Sequence, residues 1–342
     1  MSDLSVLEEG RARRSAQRRQ ARRRRRRMAA AGLVLLVVLT VAALLVLHSG
    51  HTAGPGTSAL ARARPRVSPR ATRVVHRTPI KPTYGFDPAP ASEQVRFKQT
   101  FHVASAILFD VWSGRVLWAQ NPGRERPIAS LTKMMTALVV AAHAKGGDPV
   151  LITRQAVQFS GSGVGLLPLG KRVPVISLLY GLLLPSGNDA AIALAQRISG
   201  TVAAFVAHMN ERAGDLGLAC TRFSSPDGFE DAGNHSCAID LAEMARAVLD
   251  RPRLARIVER RRAVLPFPIK GGRIYLFNNN PLLRTGYPGT IGIKTGYTDA
   301  AGRCLVAAAR RKGRRLGVVL LHSPDPGRQA TQLLNRGFAA EP

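Results

Sequence analysis

At 342 residues and 45% hydrophobic content the chain can bury at least one sizeable core, so a wholly unfolded protein is excluded. Its formal charge of +29 does not describe one basic surface, because residues 1–27 hold eleven Arg against Asp3, Glu8 and Glu9, and residues 48–100 hold nine basic groups against two acidic ones. About half the surplus therefore lies in flanking segments that need not fold, and the odd set Cys220, Cys237 and Cys304, without C-x-x-C spacing, suggests neither a zinc site nor a disulfide framework.

The tract "RRQARRRRRRM" invites a nucleic-acid reading, since clustered Arg neutralises phosphates. Its position argues otherwise. It runs directly into residues 28–47, twenty residues without a charge, enough to cross a bilayer core of about 30 Å at about 1.5 Å per residue. Arginines flanking such a segment hold its N-terminus in the cytoplasm. The expected layout is a cytoplasmic tail over 1–27 and a single-span anchor over 28–47, with everything after it outside the cell. A cleavable signal peptide is the competing reading, but the apolar run is long for one, and "HSGHTAGPG" makes a poor cleavage site. Residues 48–97, rich in Pro, Ala and Arg without hydrophobic period, read as an extended basic tether. The folded domain is expected over 98–342.

Within it, "FHVASAILFDVWSGRVLWAQN" gives two strand-like runs about a turn, a hairpin. From Ser130, apolar residues at Leu131, Met134, Met135, Leu138, Val139 and Ala142 fall on one helical face, and "KGG" at 145–147 ends the helix. Four further helices follow in "VPVISLLYGLLLPSG", "NDAAIALAQRISG", "TVAAFVAHMNERAGDLG" and "AIDLAEMARAVLD", each closed by Gly or Pro signals. Strand patterns return in "GTIGIKTGYT" and "RCLVAAARRKGRRLGVVLLH", and a last short helix spans "PGRQATQLLNRGF". Strands at both ends with helices between predict an α+β fold, an antiparallel sheet built from the N- and C-terminal segments and packed against a mainly helical block. In an exported domain a Cys220–Cys237 bridge is possible, but the expected state of each cysteine is a buried free thiol.

Three short elements carry chemistry. In "SLTK", a hydroxyl three places before a lysine shares its helical face, so a neutral Lys133 could activate Ser130; the bland alternative is an N-cap serine with a surface lysine. In "LLPSGNDAA", Ser186 and Asn188 sit on a turn between two apolar helices, as caps or as a proton relay and a partner for a substrate amide. In "GIKTGYT", Lys294 and Thr295 could stand beside a bound carboxylate, with Gly296 leaving room for a substrate backbone; the plain alternative is an edge strand with an outward charge.

S-x-x-K, S-x-N and K-T-G in this order form the combination found in penicillin-binding proteins and class A β-lactamases. From about Phe101 to Phe338 the sequence resembles the serine D-alanyl-D-alanine carboxypeptidases of the S11 peptidase family, low-molecular-mass penicillin-binding proteins of β-lactamase-like fold. The connecting stretches "MNERAGDLGL", "TRFSSPDGF", "SCAIDLAEMA" and "FNNNPLL" extend the resemblance. Ser225, Phe229 and "NHSCA" depart from the usual pattern outside the motifs. The resemblance implies Ser130 as nucleophile, Lys133 as base, Ser186 as proton relay, and Asn188, Lys294, Thr295, Gly296 and Tyr297 in substrate binding. Backbone N–H groups of Ser130 and Tyr297 would form the oxyanion hole, and Arg284 could assist the carboxylate or stand as a solvated loop arginine. It implies no cofactor and no metal, a stem peptide ending in D-Ala-D-Ala as substrate, β-lactams as covalent inhibitors, and no nucleic-acid partner.

Rival readings leave marks in the sequence. A class A β-lactamase would carry S-D-N and an E-x-x-L-N element, where this chain has Gly187 and no such element between Asn188 and Lys294. The eight His residues show no ligand pair for a zinc peptidase. Ser130 lacks the G-x-S-x-G elbow of a Ser-His-Asp hydrolase. A non-catalytic wall-binding protein would normally have lost Ser130, Lys133 or Lys294. A D,D-endopeptidase uses the same residues and stays open.

Overall fold

Long apolar runs at both ends of the domain pair into one sheet. The computed structural model describes residues 85–90, 92–97, 101–165, 167–229 and 233–340; the arginine tract, the apolar run 28–47 and most of the tether lie outside the described residues. The strands are β1 (Asp87–Pro88), β2 (Ser105–Asp110), β3 (Arg115–Gln120), β4 (Thr290–Thr298), β5 (Gly302–Arg311) and β6 (Arg314–Leu321), ordered β1-β3-β2-β6-β5-β4. All neighbours are antiparallel except β1 and β3, so the expected sheet is present with one short parallel edge. β6 lies between β2 and β5, which welds the chain's late strands to its early hairpin.

Both faces of the sheet are covered. Ile107, Phe109, Val306, Ala308 and Val319 face the main core, while Leu108, Leu305, Ala307, Val318 and Leu320 face a second cluster closed by Leu333 and Leu334 of the last helix. Near-continuous apolar strands are what two-sided burial demands. The helical block comprises α1 (Lys133–His143), α2 (Val175–Leu183), α3 (Asn188–Ser199), α4 (Val202–Asp215) and α5 (Ala238–Leu249); α6 (Pro326–Ala339) covers the opposite face. The expected amphipathic helix after Ser130 is instead a central one, buried at every position from Lys133 to Val140, with Ala142 exposed. Its surroundings, not its own period, decide what it buries.

Order begins before the expected boundary at residue 98. Ala89 N donates to Val116 O at 3.0 Å, Val95 is buried, and Phe97 packs edge-on against Phe101 and Trp118. Arg246 of α5 fastens this segment, donating from Nη1 to Gly85 O, from Nε to Val111 O and from Nη2 to Trp112 O. A short aromatic segment can thus pack even inside a Pro-rich stretch, which is why composition alone placed the boundary too late.

The cysteine expectation needs correction. Cys220 and Cys237 form a disulfide, their Cα atoms 5.7 Å apart, while Cys304 lies outside that bridge and is buried. The Arg222–His235 bridge brings the two stretches together, and Asp240 anchors the join by accepting from Cys220 N and Thr221 Oγ1. In the chain-entropy account, closing a loop of this 17-residue separation contributes about 3 kcal/mol.

Glu243 on α5 is buried, and its Oε2 has no hydrogen-bond partner among the described residues. Burial pushes its carboxyl up to about 8, against the pull of Arg246 and with a further push from Asp240. The folded state therefore holds a proton that the unfolded chain releases near its ordinary value, and stability falls as pH rises from about 4.5 to about 8. Glu243→Gln is expected to flatten that fall, read as Tm against pH; an unchanged slope would contradict the assignment.

Candidate functional site

Ser130 lies in a 3-10 turn, Ala129–Thr132, that leads into α1. It caps nothing: neither the turn nor α1 receives a side-chain capping bond. Its hydroxyl instead faces Lys133, whose Nζ lies 2.8 Å from Ser130 Oγ, 2.7 Å from Asn188 Oδ1 and 2.7 Å from the Asp227 carbonyl. The lysine expected at the surface in the bland reading is fully buried.

That burial lowers the Lys133 amine from 10.5 to about 7, against partial compensation from Asp227 and Asp189. The geometry then fixes how the neutral form must point. Asn188 Oδ1 and the Asp227 carbonyl can only accept, so they take the amine's two hydrogens and leave its lone pair toward Ser130 Oγ–H. A hydroxyl donating to a neutral amine is a hydroxyl that can be deprotonated as it attacks.

The loop that supplies the carbonyl is built for the purpose. Ser225 Oγ donates to Asp227 Oδ1 and accepts from Gly228 N and Asn234 Nδ2. Gly228, at φ +74°, passes so close to the serine turn that a Cβ would stand 2.1 Å from Ala129 O. Ser225 is one of the positions where this chain departs from the usual family pattern, and here it touches the chemistry through Asp227.

Ser186 and Lys294 form the second pair. Lys294, 1% exposed rather than outward on its strand, donates to Ser186 Oγ at 2.9 Å and to Thr295 O at 2.8 Å. Burial and, secondarily, Lys133 hold its amine well below the ordinary lysine range. Ser186 takes φ +72° and Ala129 φ +48°, backbone values that side chains disfavour by about 1–3 kcal/mol and that here flank the two hydroxyls. Strain of this kind survives only where surrounding contacts over-determine the position.

Asn188 opens α3, yet its amide is largely committed to the protein: Oδ1 holds Lys133 and Nδ2 donates to Ser160 O at 2.6 Å, leaving one N–H for any ligand. Gly296 also has a reason internal to the protein. A Cβ there would stand 2.8 Å from Ile128 O and 3.2 Å from Ser130 N, so the glycine admits the serine turn against β4, and it lines the cleft beside Ser130 as well. Tyr297 is 63% exposed and donates through its hydroxyl to Asp299 Oδ1.

Ser130 stands between two cavities. One is walled by Gly161, Phe229, Tyr297 and Asp299; the other by Ser186, Thr295, Arg284 and Arg303. Arg284 therefore belongs to the cleft, and Arg303, which the sequence reading missed, joins it there. Arg303 lies directly across from Tyr297 in the β4–β5 pair, a position the hairpin register could have revealed. Asp227 lies within "TRFSSPDGF" but is not singled out there, because its hydrogen bond to Lys133 comes from a backbone carbonyl.

Comparison with known proteins gives one answer. A family model described as D-alanyl-D-alanine carboxypeptidase, peptidase family S11, matches residues 91–325. The D-alanyl-D-alanine carboxypeptidase DacF of Bacillus subtilis is 34% identical over 243 residues, 69% of this chain and 62% of that protein. DacB2 of Mycobacterium tuberculosis is 36% identical over 244 residues, 69% of this chain and 82% of that protein. The chain thus spans under two thirds of the Bacillus relative's length. Among solved structures, a point mutant of the Streptomyces K15 DD-transpeptidase superposes with a TM-score of 0.66 at 33% identity, covering 71% of this chain and all of that one. A D-alanyl-D-alanine carboxypeptidase from M. tuberculosis H37Rv gives 0.67 at 34% identity, covering 71% and 94%.

Gly296→Ala is expected to push the serine turn off β4 and cost about 1–3 kcal/mol, as overpacking does. Gly123→Ala, where nothing lies within 4 Å, is the control and should leave thermal unfolding unchanged.

Proposed function

We propose, from the premise that this chain belongs to the D-alanyl-D-alanine carboxypeptidase family, that it is a serine D,D-carboxypeptidase acting on peptidoglycan stem peptides. The observation that carries this reading is the buried Lys133 amine, poised to accept the Ser130 proton while two acceptor oxygens fix its orientation.

Ser130 Oγ attacks the carbonyl carbon of the penultimate D-Ala, and its proton passes to Lys133. The scissile C–N bond then breaks, Ser186 relays a proton to the departing amine, and an ester remains on Ser130. Water hydrolyses that ester and regenerates the hydroxyl. Lys294 supports Ser186 and, with Thr295, faces the substrate's terminal carboxylate; Arg284 and Arg303 stand on the same wall and add positive charge there. The N–H groups of Ser130 and Tyr297 receive the oxyanion, where losing one donor typically costs about 2.7–4 kcal/mol of transition-state stabilisation. β4 is the outer strand of the sheet, so the peptide can lie along its open edge. A β-lactam would acylate the same hydroxyl and, with its amine still tethered, leave slowly. In this reading residues 28–47 anchor the protein as a single span, with the tail inside and the catalytic domain outside.

Below about pH 7 Lys133 carries a proton and cannot take another, so single-turnover acylation is expected to rise as pH climbs through about 7. A rate already level from pH 5 to 8 would mean that Lys133 is not the base. Ser130→Ala should lower D-Ala release at least about 10⁴-fold and abolish labelling by fluorescent penicillin. Labelling that survives the substitution would sink the mechanism, and loss of cross-linked dimers in place of terminal D-Ala would make the enzyme an endopeptidase.

A further inference from the structure

We propose that the end of the sheet carrying the β2–β3 and β5–β6 turns is a docking surface for anionic membrane lipid. The inference rests on the membrane-tethered reading above.

The first observation is Trp112, 79% exposed on the β2–β3 turn. A lone exposed aromatic needs no explanation, but this one is presented by a clamped backbone. Asp110 Oδ1 accepts from Trp112 N at 3.0 Å and Ser113 N at 2.8 Å, and Arg246 Nη2 donates to Trp112 O at 3.0 Å. The turn is fixed while its indole stands in water.

The second observation is the neighbouring β5–β6 turn, held to the first by Val111 N donating to Arg315 O at 2.8 Å. Arg310, Arg311, Lys312, Arg314 and Arg315 cluster there. Arg310 lies opposite Arg315, and Arg311 opposite Arg314. Like charges in register destabilise a hairpin, yet two successive pairs are kept. Among the described residues the ion pairs are Arg115–Glu93, Arg212–Asp215 and His235–Glu125, so none of the five cations is neutralised by one. Arg311 stacks on Tyr287 and Phe338, and Arg314 donates to Ala340 O, which holds the charges in place without cancelling them. Asp110 is the single acid on the two turns.

The third observation is where the chain arrives. β1 runs parallel to β3 with Asp87 beside Arg115, and Gly85 is bound by the same Arg246 that clamps Trp112. The first described residues of the domain thus lie at this end of the sheet.

Cations beside an exposed Trp match a bilayer surface, where the indole sits at headgroup level and each cation near an anionic leaflet strengthens binding about fivefold. An acidic wall polymer would use the cations and leave Trp112 without a role. Docking this end also suits the reaction. From Thr290, beside the basic turn, to Gly296, against Ser130, the strand climbs roughly 20 Å at about 3.3 Å per residue, so the cleft stays clear of the lipid.

The test uses the full chain with Trp118→Phe, leaving Trp112 as its one indole. Vesicles of phosphatidylcholine, with or without phosphatidylglycerol, carry bromine near the headgroup. Trp112 emission should be quenched in the phosphatidylglycerol vesicles, and Arg310→Glu with Lys312→Glu should weaken that docking at least about fivefold while D-Ala release from a soluble pentapeptide is unchanged. Unquenched Trp112, or quenching indifferent to the charge reversal, would overturn the proposal. So would poly(glycerol phosphate) shifting Trp112 emission in detergent when lipid does not, since the surface would then serve a wall polymer. A chain that fails to float with phosphatidylcholine alone would defeat the anchor reading only, and quenching by added phosphatidylglycerol vesicles would still decide the docking. Catalysis is scored apart, on the soluble peptide.

Discussion

Taking a lysine amine out of water penalises its proton more than its carbon chain, and the Lys133 site depends on that difference. Fully buried, the amine is satisfied by protein oxygens, and three elements supply them: the serine turn, the start of α3 and the loop carrying Asp227. Each acceptor is held by its own partners, Asn188 by Ser160 O and Asp227 by Ser225. Moving any one of them would leave a buried polar group unpaired, at about 1–3 kcal/mol. The site is therefore rigid because its central group cannot tolerate slack.

That rigidity extends through Gly296 into the sheet. The serine turn is pressed between β4 and the Gly228 loop, with backbone atoms where a side chain would otherwise stand. Positive φ values at Ala129 and Ser186 show the backbone bent to place two hydroxyls, and the core beneath supplies the contacts that maintain the bend. Lys294 reaches the second hydroxyl from the same strand. A helix start, an inter-helix turn and a strand thus behave as one piece.

The order of S-x-x-K, S-x-N and K-T-G made the site legible because each motif places a side chain that acts directly. What stayed hidden acts through the backbone or through pairing. The hydrogen bond from Asp227 comes from a carbonyl that any residue could offer, so its side-chain type does not announce that contact. The Cys220–Cys237 bond depends on the Arg222–His235 bridge, a contact invisible to spacing. Elements of strong period, such as β5 and α4, were readable, as were their boundaries within a few residues. The two-stranded hairpin Arg262–Pro266 with Arg273–Phe277 and the helix Pro252–Val258 were not, since short half-buried segments take their form from what they lean on.

The strand order carries a further consequence, for timing. β6, which joins the early hairpin to the rest of the sheet, ends at Leu321, and Lys294 lies 164 positions after Ser130. A nascent chain holds its serine and first lysine long before it holds the strand that completes their cleft. A fragment that ends before β4 lacks Lys294 and the strand against which Gly296 seats the serine turn. On the mechanism proposed, reactivity waits for β4, because until then Ser186 has no Lys294 beside it.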